Sequence, residues 1–92
     1  MFHSIEQIKT ANEAAGQYWF SPDTMRFFQS RTHGAVINGH YFISSECDGT
    51  QAGLLRRYTI HKVNADGKIK TIGNFRAYET EEDARVSAEQ LS

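Results

Sequence analysis

The side chains best suited to chemistry in this chain of 92 residues are its one cysteine, its four histidines and a few grouped carboxylates. Cys47 lies between Glu46 and Asp48, and a cysteine beside a histidine base is a familiar nucleophile. Two flanking carboxylates, however, disfavour the thiolate that this chemistry needs. His33, His40 and Cys47 are three soft donors around one turn signal, yet zinc ligands normally come in close pairs two to five residues apart, and these do not. No segment reads G-x-S-x-G, G-x-x-x-x-G-K or H-E-x-x-H, so neither a nucleophile elbow, a phosphate loop nor a paired-histidine metal site is spelled out. The expectation is a protein without catalytic residues, cofactor or metal.

The elements that position these groups can be read in order. Ser4 precedes Ile5, Ile8, Ala11 and Ala15 at helical spacing, with Gln7 three residues after the cap and Gly16 as a stop. Ser21-Pro22-Asp23-Thr24 is a second helix start, with proline at the first helical position and an acid in the first turn. Met25, Phe27 and Phe28 make that helix short and apolar; it should end before Gly34 and serve the core. From Ala35 the period changes to two. Ala35 to Ile37 and His40 to Ser44 flank Asn38-Gly39, the dipeptide that best accepts positive φ at both turn positions, and so form a hairpin. Cys47 to Gly53 reads as a polar loop.

A second hairpin joins Leu54–Val63 to Lys68–Phe75 through Asn64-Ala65-Asp66-Gly67. A two-residue and a four-residue turn give the same parity, placing Tyr58, Ile60, Ile69, Thr71 and Phe75 on one face. The other face then carries Arg57, Thr59, His61, Lys68, Lys70, Ile72, Asn74 and Arg76. Thr80 caps a last helix with acids in its first turn and Ala84, Ala88 and Leu91 along one side. The expected fold class is α+β: a four-stranded, mostly antiparallel sheet of two hairpins in a single domain spanning residues 1–92, with two N-terminal helices and one C-terminal helix gathered on one face.

Composition narrows the class of function. With 39% apolar and 23% charged residues and one proline, the chain is an ordinary globular one. One cysteine makes no internal disulfide, which points to a reducing compartment; no apolar run reaches the ~18 residues of a membrane span, and the start MFHSIEQIKTANEAAG lacks a basic-then-apolar leader. The expectation is cytoplasmic, with no membrane and no small-molecule substrate.

The net charge of −1 argues against a general nucleic-acid binder, but it conceals a dipolar chain. Residues 54–76 hold six basic side chains and one acid, a balance of +5; residues 77–92 hold one base and five acids, −4; the first 53 hold three bases and five acids, −2. A strip of Arg57, His61, Lys68, Lys70, Asn74 and Arg76 is therefore the candidate surface for a phosphate backbone, and Glu46 with Asp48 the candidate surface for a basic groove on a partner.

Three segments carry a family resemblance: Ser21-Pro22-Asp23-Thr24-Met25-Arg26-Phe27-Phe28, Gly39-His40-Tyr41-Phe42-Ile43-Ser44-Ser45-Glu46 and Arg56-Arg57-Tyr58-Thr59-Ile60. Together they resemble small proteins of phages and other mobile elements, and within them phage anti-CRISPR proteins acting on the type I-F CRISPR-Cas surveillance complex. The resemblance implies a non-enzymatic inhibitor in the cytoplasm of the bacterial host cell. It would sit on the multi-subunit complex, touch its backbone subunits and guide RNA, and prevent target DNA from hybridising. The basic strip would suit the RNA and the acidic pair the lysine-lined DNA path. The C-terminal half alone is also similar to AP2-like and phage-integrase arm-binding domains, through Arg57-Tyr58-Thr59-Ile60, Asp66-Gly67-Lys68, Ile72-Gly73-Asn74-Phe75 and Glu79 to Ala84. Those domains read DNA in the major groove from an exposed three-stranded sheet, here through Arg57, His61, Lys70, Asn74 and Arg76.

Overall fold

The computed structural model describes residues 1–47 and 56–91. Helices α1 (Ile5–Ala14) and α2 (Pro22–Phe27) are followed by strands β1 (Arg31–Ile37), β2 (Tyr41–Cys47), β3 (Arg56–Val63) and β4 (Ile69–Ile72), then helix α3 (Glu81–Glu89). The strands form one antiparallel sheet in the order β1-β2-β3-β4. This is the expected α+β class with the expected helices and hairpins.

Local signals explain most element ends. Ser4, Ser21 and Thr80 each accept a hydrogen bond from a backbone N–H three residues on, at 3.2, 3.3 and 3.1 Å, contacts worth about 1 kcal/mol apiece. Gln7 turns its side-chain oxygen to the His3 N–H at 2.7 Å, one residue upstream of the reciprocal capping-box contact. Asn38 and Gly39 both have positive φ, 52° and 79°, as their hairpin requires.

Helix α2 stops sooner than expected. The Ser30 N–H reaches the Met25 carbonyl at 2.6 Å and the Gln29 N–H the Arg26 carbonyl at 3.1 Å, which is a Schellman ending. Its left-handed residue is Gln29, φ 52°, where a glycine would have announced it in the sequence. The chain therefore enters β1 at Arg31, and α2 contributes no buried residue to the core.

Both hairpins differ in register from the expectation: in the first, Ile37 pairs with Tyr41 rather than His40, so Asn38, Gly39 and His40 lie between the paired residues, and the pairing is irregular between His33 and Ile37. The second is shifted as well. Val63 pairs with Ile69, His61 with Thr71 and Ile60 with Ile72. The Asn64 N–H bonds to the Lys68 carbonyl and the Gly67 N–H to the Asn64 carbonyl, both at 2.9 Å, closing a three-residue loop of Ala65, Asp66 and Gly67. Gly67 takes the left-handed conformation that ends such loops, φ 92°. A Cβ there would also lie 2.4 Å from the Ala11 carbonyl oxygen, so packing and backbone both demand glycine. An odd loop shifts the register by one, and every side chain of β4 changes face relative to β3.

The sheet is covered on both faces rather than one. Against α3 lie Ile37, Tyr41, Ile43 and Ile60 with Ala84 and Ala88, flanked by Tyr58, Ile72, Tyr78 and Leu91. The opposite face packs Ile8 of α1 against Phe42, Val63 and Ile69, with Phe2, Ile5, Trp19, Phe20 and Val36 around them. Strand β2 is consequently buried along its whole length. Buried Asn12 ties the second assembly together: its amide nitrogen donates to the Gly67 carbonyl (2.8 Å) and the Gln17 side chain (2.6 Å), while its oxygen accepts from the Trp19 N–H (2.6 Å). Among the described residues no helix is long and apolar enough to cross a membrane.

Candidate functional site

Strands β2 and β3 bring four polar side chains onto the face opposite α3: Ser44 and Glu46 from one, Thr59 and His61 from the other, with Ser44 directly across from Thr59. Glu46 is only 2% exposed. One carboxylate oxygen accepts from the Ser44 hydroxyl and the other from Thr59 at 2.7 Å. Thr59 in turn accepts from the Arg76 N–H at 2.9 Å, and the Arg76 Nε donates to the Glu46 carbonyl at 3.2 Å.

Ser44 also meets His61 Nε2 at 2.6 Å. The single hydroxyl proton of Ser44 is committed to Glu46, so this second contact places the imidazole hydrogen on Nε2 and leaves Nδ1 with a bare lone pair. The ring stacks on Phe42 (5.0 Å between centroids) and meets Trp19 edge-on (4.9 Å). Burial pushes its pKa down from the ordinary value to about 4, so the ring is neutral at pH 7. Nδ1 is the one buried side-chain nitrogen or oxygen without a hydrogen-bond partner among the described residues.

A serine touching a histidine suggests hydrolytic chemistry, but the roles are reversed. In an activated serine the carboxylate orients the histidine, and the histidine takes the serine proton. Here the carboxylate holds the serine proton, and the hydroxyl is fully enclosed. The arrangement instead stabilises a buried carboxylate through hydroxyl donors. Among the described residues no lysine or arginine nitrogen lies within 4 Å of it.

This polar cluster borders a pocket of about 490 Å³, lined by Glu46 and His61 together with Trp19, Phe27, Phe28 and Phe75. The last three rings form a chain, Phe27 to Phe28 at 4.6 Å and Phe28 to Phe75 at 5.1 Å. Phe27 is 74% exposed and Phe75 47%. Asp23 at the edge is held by Arg26 at 2.5 Å.

The residues singled out by sequence therefore separate. Glu46 and His61 meet at the pocket and Arg76 is bound to the Glu46 backbone. Arg57 faces Glu79 at 3.6 Å. Lys68, Lys70 and Asn74 are exposed, and the one-residue register shift puts Lys70 and Ile72 on the face of Ile60, away from His61. The expected single basic face does not form, and Glu46 is a buried residue of β2 rather than part of an exposed acidic surface. Asp48 lies outside the described residues, as does the rest of the expected polar loop after Cys47. His33 bonds to Ser45 at 2.6 Å and faces Glu81 at 3.8 Å, with burial lowering its pKa more than Glu81 raises it. His40 packs on the Tyr41 ring at 4.3 Å and Cys47 is buried. Among the described residues no three His, Cys, Asp or Glu side chains are grouped to hold a metal ion.

Sequence reasoning missed the aromatic wall because it assigned Met25, Phe27 and Phe28 to the core. No local signal separated the two roles, because large aromatic residues in and after a short apolar helix read as core.

Fold and pocket together define a small α+β domain with an aromatic recess bordered by the buried Glu46 and His61. The chain belongs to DUF7447, a family of unknown function, which it matches over residues 4–89. No curated protein and no solved structure matches it.

Proposed function

We propose that the protein is a non-enzymatic inhibitor that docks on a crRNA-guided type I-F surveillance complex, on its backbone subunits and guide RNA, and keeps target DNA from hybridising. The partner follows from the resemblance of the Ser21 to Phe28, Gly39 to Glu46 and Arg56 to Ile60 segments to phage anti-CRISPR proteins. One observation supports docking as the mode of action: the recess that exposed Phe27 and Phe75 line together with the buried Glu46. Large exposed aromatics around a concavity are a mark of interaction surfaces. Exposed Lys68 and Lys70 at the β4 edge supply a separate patch for RNA phosphates.

The alternative, a duplex-DNA reader of the AP2-like or integrase-arm type, needs an exposed sheet face. Both faces are covered here, and His61 of its reading set is 3% exposed.

The test is to mix the purified protein with an assembled type I-F complex on a sizing column and then add labelled target. Co-elution and loss of target binding are expected, weakened by Lys68→Glu with Lys70→Glu. Absence of co-elution sinks the proposal, and binding to free duplex with a steep negative salt slope would favour the DNA reader instead.

A further inference from the structure

We infer that the pocket is a receptor for an arginine side chain carried by a basic partner protein. The inference deepens the docking proposal by naming what enters the recess, and only in that sense rests on it.

Charge is the first ground. Glu46 is a buried carboxylate without a cation among the described residues, and it lines an open recess. Each of its oxygens accepts one hydroxyl bond, from Ser44 and Thr59. A carboxylate offers about four acceptor positions, so capacity remains for a charged donor. The neighbouring imidazole is neutral, while the nearby guanidinium groups are engaged elsewhere, Arg57 with Glu79 and Arg76 through Nε with the Glu46 main-chain carbonyl. Asp23, the other acid of the lining, already has Arg26.

The walls supply the second ground. Trp19, Phe27, Phe28 and Phe75 present aromatic surface to the same space, and the negative faces of such rings attract cations, most strongly where water is excluded. Among cations, guanidinium fits best. It is flat, weakly hydrated and able to stack on a ring while donating to a carboxylate, whereas the lysine ammonium is compact and holds its water. A volume of about 490 Å³ admits the side chain with part of the backbone that carries it.

The experiment uses the full chain at neutral pH and reads Trp19, the single tryptophan. The probes are the N-acetyl, N-methylamide derivatives of arginine, of citrulline as its neutral isostere, and of trimethyl-lysine. The arginine probe should give a saturable change in fluorescence and bind about tenfold more tightly than citrulline, as expected for an added charge on rings and carboxylate. Phe27→Ala, at a position 74% exposed and so neutral to folding, should weaken arginine binding by about threefold or more. Glu46→Gln should abolish the preference over citrulline. If that variant does not fold, Phe27→Ala decides. No saturable change, equal binding of citrulline, tighter binding of trimethyl-lysine, or unchanged affinity in Phe27→Ala would each overturn the inference. Because no surveillance complex is used, co-elution with the complex but no arginine binding would leave docking intact and remove the arginine receptor alone.

Discussion

The two faces of one sheet are built differently. On the α3 side the cover is Ala84 and Ala88, side chains small enough to seat the helix closely over Ile43 and Ile60. On the other side α1 and the Trp19-Phe20 segment cover only part of the sheet. Beyond them the inward residues are Ser44, Glu46, Thr59 and His61, and helix α2 contributes exposed rings instead of a seal. An apolar, closely seated face gains stability from burial, while the other face keeps a hydrogen-bonded polar cluster beside an open recess. Polarity and openness coincide on one side of the molecule, and that coincidence is what makes the recess the candidate site.

The most severe disruption of the open face is expected at its buried aromatic centre. Phe42→Ala removes the ring beneath Trp19 and His61, and should cost about 3–5 kcal/mol in urea unfolding; a loss below about 1 kcal/mol would mean that this face contributes little to the core. Acid comes next. His61 has a folded pKa of about 4 against 6.5 unfolded, so between those values the unfolded chain holds the extra proton. The His61 contribution should therefore be flat above pH 6.5, fall by up to about 3 kcal/mol as the pH drops towards 4, and level off below. His33 adds a weaker slope of the same sign. A His61→Gln variant with an unchanged pH slope would refute the assignment. The smallest effect is expected at Phe27→Ala, whose stability should stay within about 0.5 kcal/mol of the parent although binding at the recess suffers; a larger loss would turn the exposed ring into a structural one.

How far each face could be read in the sequence follows the same divide. Helix starts at Ser4, Ser21 and Thr80, the Asn38-Gly39 turn and the apolar side of α3 were legible because each depends on residues within one or two turns of chain. The Schellman ending at Gln29 was not, since a non-glycine residue took the left-handed position. The second hairpin was readable as a hairpin, yet its parity was not: Gly67 supports a three-residue loop as readily as the even loops, and contact with Ala11, far away in sequence, helps to decide. From that one register step followed the loss of the basic strip and the separation of His61 from Lys70.

What the sequence determined alone was therefore the inventory: an α+β chain, its element order, its caps and its uneven distribution of charge, all matters of short-range sterics and composition. Tertiary structure decided which residues meet. It placed helices on both faces, buried Glu46 and His61 together, and raised Phe27, Phe28 and Phe75 around them. Such contacts join β2, β3, α2 and the segment after β4, and their positions depend on strand register and packing over the whole domain, which no local pattern encodes.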